Sequence, residues 1–147
     1  MHTPIFVALS VFLLTVVPAR ADTPKDAEIK KDVEKFQGKW TVASIEENGK
    51  PAPADEVAKF EVTVKGDVFT VKIKDENNRE LTIKLDPTQK PATIDLVPKD
   101  AKDKTVLGIY KLDGDTLTIA GTDEKKERPT DFTAGKGVTV LVLKRAK

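Results

Sequence analysis

The chain has 147 residues, with 25 Lys and Arg against 24 Asp and Glu, no Cys, and a formal charge of +1. That length is the length of one domain. Balanced, interspersed charge argues against a nucleic-acid binder, which needs a basic excess on one face, and against a binder of anionic membrane surfaces.

The first element is an apolar run, Ile5 to Val17, "IFVALSVFLLTVV". It is too short to span a bilayer, which takes about 20 residues. It has the length of a signal-peptide core, and Ala19-Arg20-Ala21 after it is an A-x-A cleavage site. Residues 1–21 are therefore read as a signal peptide cut before Asp22, and 22–147 as one exported domain, periplasmic or secreted. Only His2 and the amino terminus precede the run, with no Lys or Arg, so an uncleaved anchor or a buried segment is the competing reading.

Arg20 is the only charged Lys, Arg, Asp or Glu in that leader, which leaves 24 basic and 24 acidic residues in a formally neutral domain. The only histidine is His2 and the only methionine Met1. The domain thus lacks the usual nitrogen and sulfur ligands of zinc, copper and iron–sulfur sites, and of the usual haem ligands it keeps only Tyr110. Disulfides are impossible, and Ser–His–Asp and Cys–His catalysis are excluded. No cofactor and no metal is implied.

Asp22 to Lys35, "DTPKDAEIKKDVEK", is rich in charge, and Ile29, Val33 and Phe36 fall at i, i+4 and i+7. One apolar stripe on a short helix follows, with Asp26 as its cap and Gly38 just past its end. From Trp40 onward the period changes to two. The alternating stretches are Trp40–Glu46, Phe60–Lys65, Phe69–Lys74, Leu81–Leu85, Ile94–Leu96, Val106–Leu112, Thr116–Ala120 and Val138–Arg145. Each reads as a strand with an apolar inner and a polar outer face. Asn48-Gly49, Lys65-Gly66-Asp67, "DENN" at Asp75–Asn78 and Asp113-Gly114 are turns between them. Pro53–Lys59 reads as one helical turn.

Many short strands with regular turns indicate a sandwich or a barrel. Sequential tight turns, and one inward face per strand, favour an eight-stranded antiparallel up-and-down barrel, whose closure removes the edges of the sheet. In that barrel a helix followed by Gly38 and Trp40 plugs one end. Glycine allows a sharp turn there, and an indole covers an area on the order of 200 Å². The last strand pairs with the first, and Arg145 then lies over the Trp40 ring.

Gly38-Lys39-Trp40, with Lys144-Arg145 ending the last strand, resembles the G-x-W and terminal-arginine signature of lipocalins. The stretches "FQGKWTVASIEENGKP", "KLDPTQKPATIDL", "LGIYKLDGDTLTIA", "ERPTDF" and "LVLKR" are similar to the uncharacterised lipocalin-like domain family abundant in planctomycete bacteria, and they cover about residues 33–145. Members of that family tend to carry a cysteine in the strand after the "LDGDTL" turn, where this chain has Ile119-Ala120. The resemblance implies the barrel fold and no established activity; any activity that requires that thiol is missing here.

The barrel interior is the natural ligand site, because eight strands enclose either a packed core or one small ligand. Phe69, Val71 and Leu117 are inward-facing candidates, and the hydroxyl of Tyr110, in phase with Val106 and Leu112, is a candidate polar contact. The bland readings are a filled barrel and a core tyrosine with a satisfied hydroxyl. Arg128 in "ERPTDF" either meets an anionic headgroup at the barrel mouth or pairs with a neighbouring carboxylate and pins a long loop, and ion pairing is the commoner role. Asp113 and Asp115 flank a glycine, but the spacing is that of a hairpin and not of a calcium loop. Three functions compete: noncatalytic binding of a small apolar or amphipathic ligand, a solid-cored scaffold that uses its rim loops, and a carboxylate hydrolase for which 24 acidic residues supply only chance pairs.

Overall fold

The structure is a computed structural model that describes residues 23–122 and 127–147. The expected leader lies outside the described residues. Helix α1 (Pro24–Phe36) starts at Thr23, whose hydroxyl accepts from the Asp26 amide while the Asp26 carboxylate accepts from the Thr23 amide. Asp26, expected as the cap, is thus the reciprocal partner of a capping box, and Pro24 takes the first turn, where no amide donor is needed. Phe36 is the last helical residue, and Gln37 already has extended backbone.

Strand β1 (Gly38–Glu47) leads to a two-residue strand β2 (Lys50–Pro51), a short helix α2 (Ala54–Val57), then β3 (Phe60–Lys65), β4 (Val68–Ile73), β5 (Arg79–Asp86), β6 (Thr93–Pro98), β7 (Val106–Asp113), β8 (Thr116–Thr122) and β9 (Val138–Arg145). From β3 to β9 each strand pairs antiparallel with the next; β1 pairs with β3 on one side and with β9 on the other. Among the described residues, eight strands close an up-and-down barrel, and β2 is a small arm on the upper end of β1. Closure leaves no long sheet edge unpaired.

Two features depart from a simple period of two. The register of β1 against β9 shifts between Val42 and Ser44, so Ala43 is an extra residue. A bulge of this kind flips the phase, and Ile45, not Ser44, stands opposite Leu141, which packs against the core. Asn48 and Gly49 both have positive φ, 52° and 79°. That is the backbone of the tight hairpin which Asn-Gly favours.

The main core fills the barrel: Trp40, Val62, Val64, Phe69, Ile83, Leu85, Ile94, Tyr110, Leu117, Ile119 and Leu143, with Phe36 of α1 added from below. A second core lies on the opposite, outer face of β7, β8 and β9, where Ile109, Ala120 and Val140 pack with Phe132 and Ala134. The segment before β9 is therefore a strap that runs over the outer wall. It explains why β8 is buried on both faces from Leu117 to Thr122.

Candidate functional site

The two ends of the barrel are built differently. At one end β1 begins, β9 ends and α1 lies across the opening. Trp40 is fully buried there, and its indole N–H donates to the Phe36 carbonyl at 2.8 Å. The Arg145 guanidinium sits over the indole, 4.4 Å from the ring centroid. It also donates to the Gln37 carbonyl at 2.9 Å and to the Lys35 carbonyl at 2.8 Å. Those carbonyls close the C-terminus of α1, where acceptors are orphaned and a cation is favoured. Gly38 has φ 114°, and a Cβ there would meet the Arg145 guanidinium at 3.5 Å. Glycine is required by the backbone conformation more than by space. Gly38, Trp40 and Arg145 thus form one assembly that seals this end.

Tyr110 belongs to the same seal. Its ring stands edge-on to Phe36 with centroids 5.1 Å apart, and its hydroxyl donates to Asp32 of α1 at 2.6 Å. Burial, then the hydrogen bond to Asp32, push the hydroxyl pKa above the ordinary 10.0. Lys25 of α1 reaches Asp86 at 3.1 Å, and the Thr88 hydroxyl followed by Lys25 holds the Asp86 carboxyl at about 2. Gln37 clamps the β3–β4 turn, with its amide donating to the Gly66 carbonyl and accepting from the Gly66 amide. The hydroxyl of Tyr110 is therefore spent on holding the helix and is not offered to a ligand.

Arg128 stands elsewhere again. Asp95 lies between the inward residues Ile94 and Leu96, so its side chain faces outward; Arg128 pairs with it at 2.7 Å and also donates to the carbonyls of Gly108 and Ile94. The headgroup role at the mouth is corrected: this guanidinium pins the strap to the outer wall of β6 and β7. Opposite the strap, Lys111 caps the Phe132 ring at 4.7 Å, and the Asn48 side chain accepts from the Gly137 amide. Phe69 and Leu117 are also placed differently from a ligand contact. They are packed into the floor of the barrel, at 2% and 0% exposure. Of the five candidate ligand residues, Val71 alone lies in the partly exposed layer above that floor.

A partly buried layer lies above that floor, toward the end away from α1. Val71, Leu81, Leu96 and Leu141 are only partly buried and pack down onto the sealed core. Between β5 and the β6–β7 connection a recess of ≈ 670 Å³ is lined by Leu81, Pro98, Ala101 and Val106, with Arg79, Glu80, Asp100 and Lys104 around it. Leu81 stands opposite Pro98, and Val106 opposite Leu96, so the apolar lining continues the inward faces of β5, β6 and β7. The volume falls within the 300–1,000 Å³ typical of small-molecule sites. The alternation turns Leu81 and Leu96 inward without distinguishing them from the other inward residues, and Val106 is legible only through its phase with Tyr110. The turn Lys102–Lys104 that borders the recess carries no periodic signal.

Among the described residues, no group of three or more His, Asp or Glu side chains is arranged to hold a metal ion, and no helix is long and apolar enough to cross a membrane. The chain matches no family model, no curated protein and no solved structure. Its lipocalin-like character accordingly rests on the closed eight-stranded barrel with a helix across one end.

Proposed function

We propose that this is an exported, noncatalytic lipocalin-like domain that holds a small apolar or amphipathic molecule in the open end of its barrel. One observation carries the reading: the interior is graded. The end under α1 is packed solid around Trp40, Phe36 and Leu143, each at 0% exposure, whereas at the far end a recess between β5 and the β6–β7 connection is bordered by Leu81, Pro98 and Val106. A sealed floor excludes water below the site, and an apolar cup with a charged rim suits a molecule with one apolar part. The leader sequence supports export, and membership of the lipocalin-like family of planctomycetes is part of the same proposal. The filled lower lumen limits the cargo to the end of the barrel away from α1.

The test is a titration with the fluorescent hydrophobe 1-aminoanthracene, displaced by decan-1-ol, on the wild type and on Val106→Trp, which fills the recess. One saturable site is expected, weakened at least about tenfold, or 1.4 kcal/mol, by the substitution. Equal affinity in the variant, or no saturable site at all, would overturn the proposal and leave the rim-loop scaffold as the surviving reading.

A further inference from the structure

The inward face of β5 reads Leu85, Ile83, Leu81 and then Arg79, which stands opposite Val71 of β4. A guanidinium at the top of an apolar series is the wrong residue for packing. It is exposed at the rim of the recess, and Lys104 lines the same recess from the β6–β7 connection. Among the described residues the ion pairs join Lys25 to Asp86, Lys35 to Asp32, Lys99 to Glu80, Arg128 to Asp95 and Arg145 to Asp115; neither Arg79 nor Lys104 takes part in one. Glu80, the carboxylate next to Arg79, is held on the outside by Lys99 at 2.7 Å. Asp100 also borders the recess, and Asp75 and Glu76 border the neighbouring one beside Arg79, all without an ion pair to either cation.

We infer that the mouth selects amphiphiles with an anionic head, the tail lying on Leu81, Pro98 and Val106 and the head between Arg79 and Lys104. This rests on the proposed binding at the open end and adds the polarity of the ligand. The physical reason is positional. A tail anchored on the apolar floor brings its head to the rim, where the two cations that line the recess have no carboxylate partner among the described residues, and a charge-assisted contact with a planar guanidinium is geometrically specific. The acidic neighbours are solvated and act through screened fields alone.

Isothermal titration at low salt with decyl sulfate, decan-1-ol and decyltrimethylammonium separates the claims, because the three share a tail and differ in the head. The expected order is sulfate, then alcohol, then ammonium, with sulfate ahead of alcohol by about three- to tenfold and the gap closing at high salt. The doubly substituted Arg79→Ala, Lys104→Ala protein is expected to bind sulfate no better than alcohol, Arg79→Lys to keep part of the preference, and Lys84→Ala on the outer face of β5 to change nothing. Alcohol binding as tightly as sulfate in the wild type, or a sulfate preference that survives the double substitution, overturns the head-group inference and leaves apolar binding intact. Binding of none of the three overturns both.

Discussion

Replacing Trp40 by alanine is the sharpest perturbation of the seal. The indole is fully buried, and deleting a buried large aromatic costs about 3–5 kcal/mol through lost transfer energy and the cavity left behind. The Phe36 carbonyl would also lose its indole N–H donor, a further loss of about 0.5–1.5 kcal/mol. Arg145 would lose the ring beneath it, worth roughly 0.5–2 kcal/mol. These terms overlap, and a total of about 5 kcal/mol is the expectation. Domains of ordinary stability hold about 5–15 kcal/mol, so the variant should lie near the edge of folding. Urea unfolding followed by far-UV circular dichroism is the assay, since the substitution removes the only tryptophan. A cycle with Arg145→Met isolates the pair, and a coupling of about 0.5–2 kcal/mol is expected. A loss below about 1 kcal/mol for Trp40→Ala, with an unchanged denaturant slope, would show that the indole is not what closes the barrel.

Tyr110→Phe should cost about 1.5–3 kcal/mol, the range for a hydrogen bond to a charged group, and should speed amide exchange in α1 while leaving β3 and β4 protected. The raised pKa of Tyr110 means that its contribution is fully present below pH 10 and is lost as pH rises further; the Phe variant should therefore show less alkaline destabilisation than the wild type. Asp86, held at about 2 from an ordinary 3.8, contributes above pH 3.8 and loses that contribution as pH falls toward 2. Asp86→Asn should flatten that part of the acid melting curve. Gly108→Ala places a Cβ 2.7 Å from the Ala120 carbonyl oxygen and 3.2 Å from Ile94, so overpacking of about 1–3 kcal/mol is expected in urea melts.

Much of this fold could be read along the chain because local and tertiary preferences agree. The stripe of Ile29, Val33 and Phe36 marks α1, Asn48-Gly49 and Asp113-Gly114 make the turns, and the alternation in Phe60–Lys65 or Val68–Ile73 is undisturbed from end to end. Reading fails where a second partner covers the outer face. Ala120 and Ile109 occupy outward positions, yet they are buried because the strap brings Phe132 and Ala134 onto them. Alternation alone cannot register a cover contributed by residues far along the chain. The same distance hides which carboxylate Arg128 takes: the favoured loop-pinning ion pair is there, but its partners Gly108 and Asp95 are 20 and 33 residues away. The bulge at Ala43 was hidden because small residues on both sides fit either face. At the site, the inward direction of Leu81 and Leu96 was legible, but depth was not. Whether an inward residue lies in the floor, like Leu117, or at the mouth, like Val106, depends on which end α1 covers.

The proposed function needs a barrel that is sealed under α1 and admits a ligand only at the opposite end. Methyl-resolved NMR of the isotopically labelled domain during titration with decan-1-ol distinguishes the two ends. Saturable shifts are expected at Val71, Leu81, Leu96 and Val106, with Leu117, Leu143 and the Trp40 indole unmoved. Shifts confined to the strap residues or to the α1 end, or none that saturate, would contradict it.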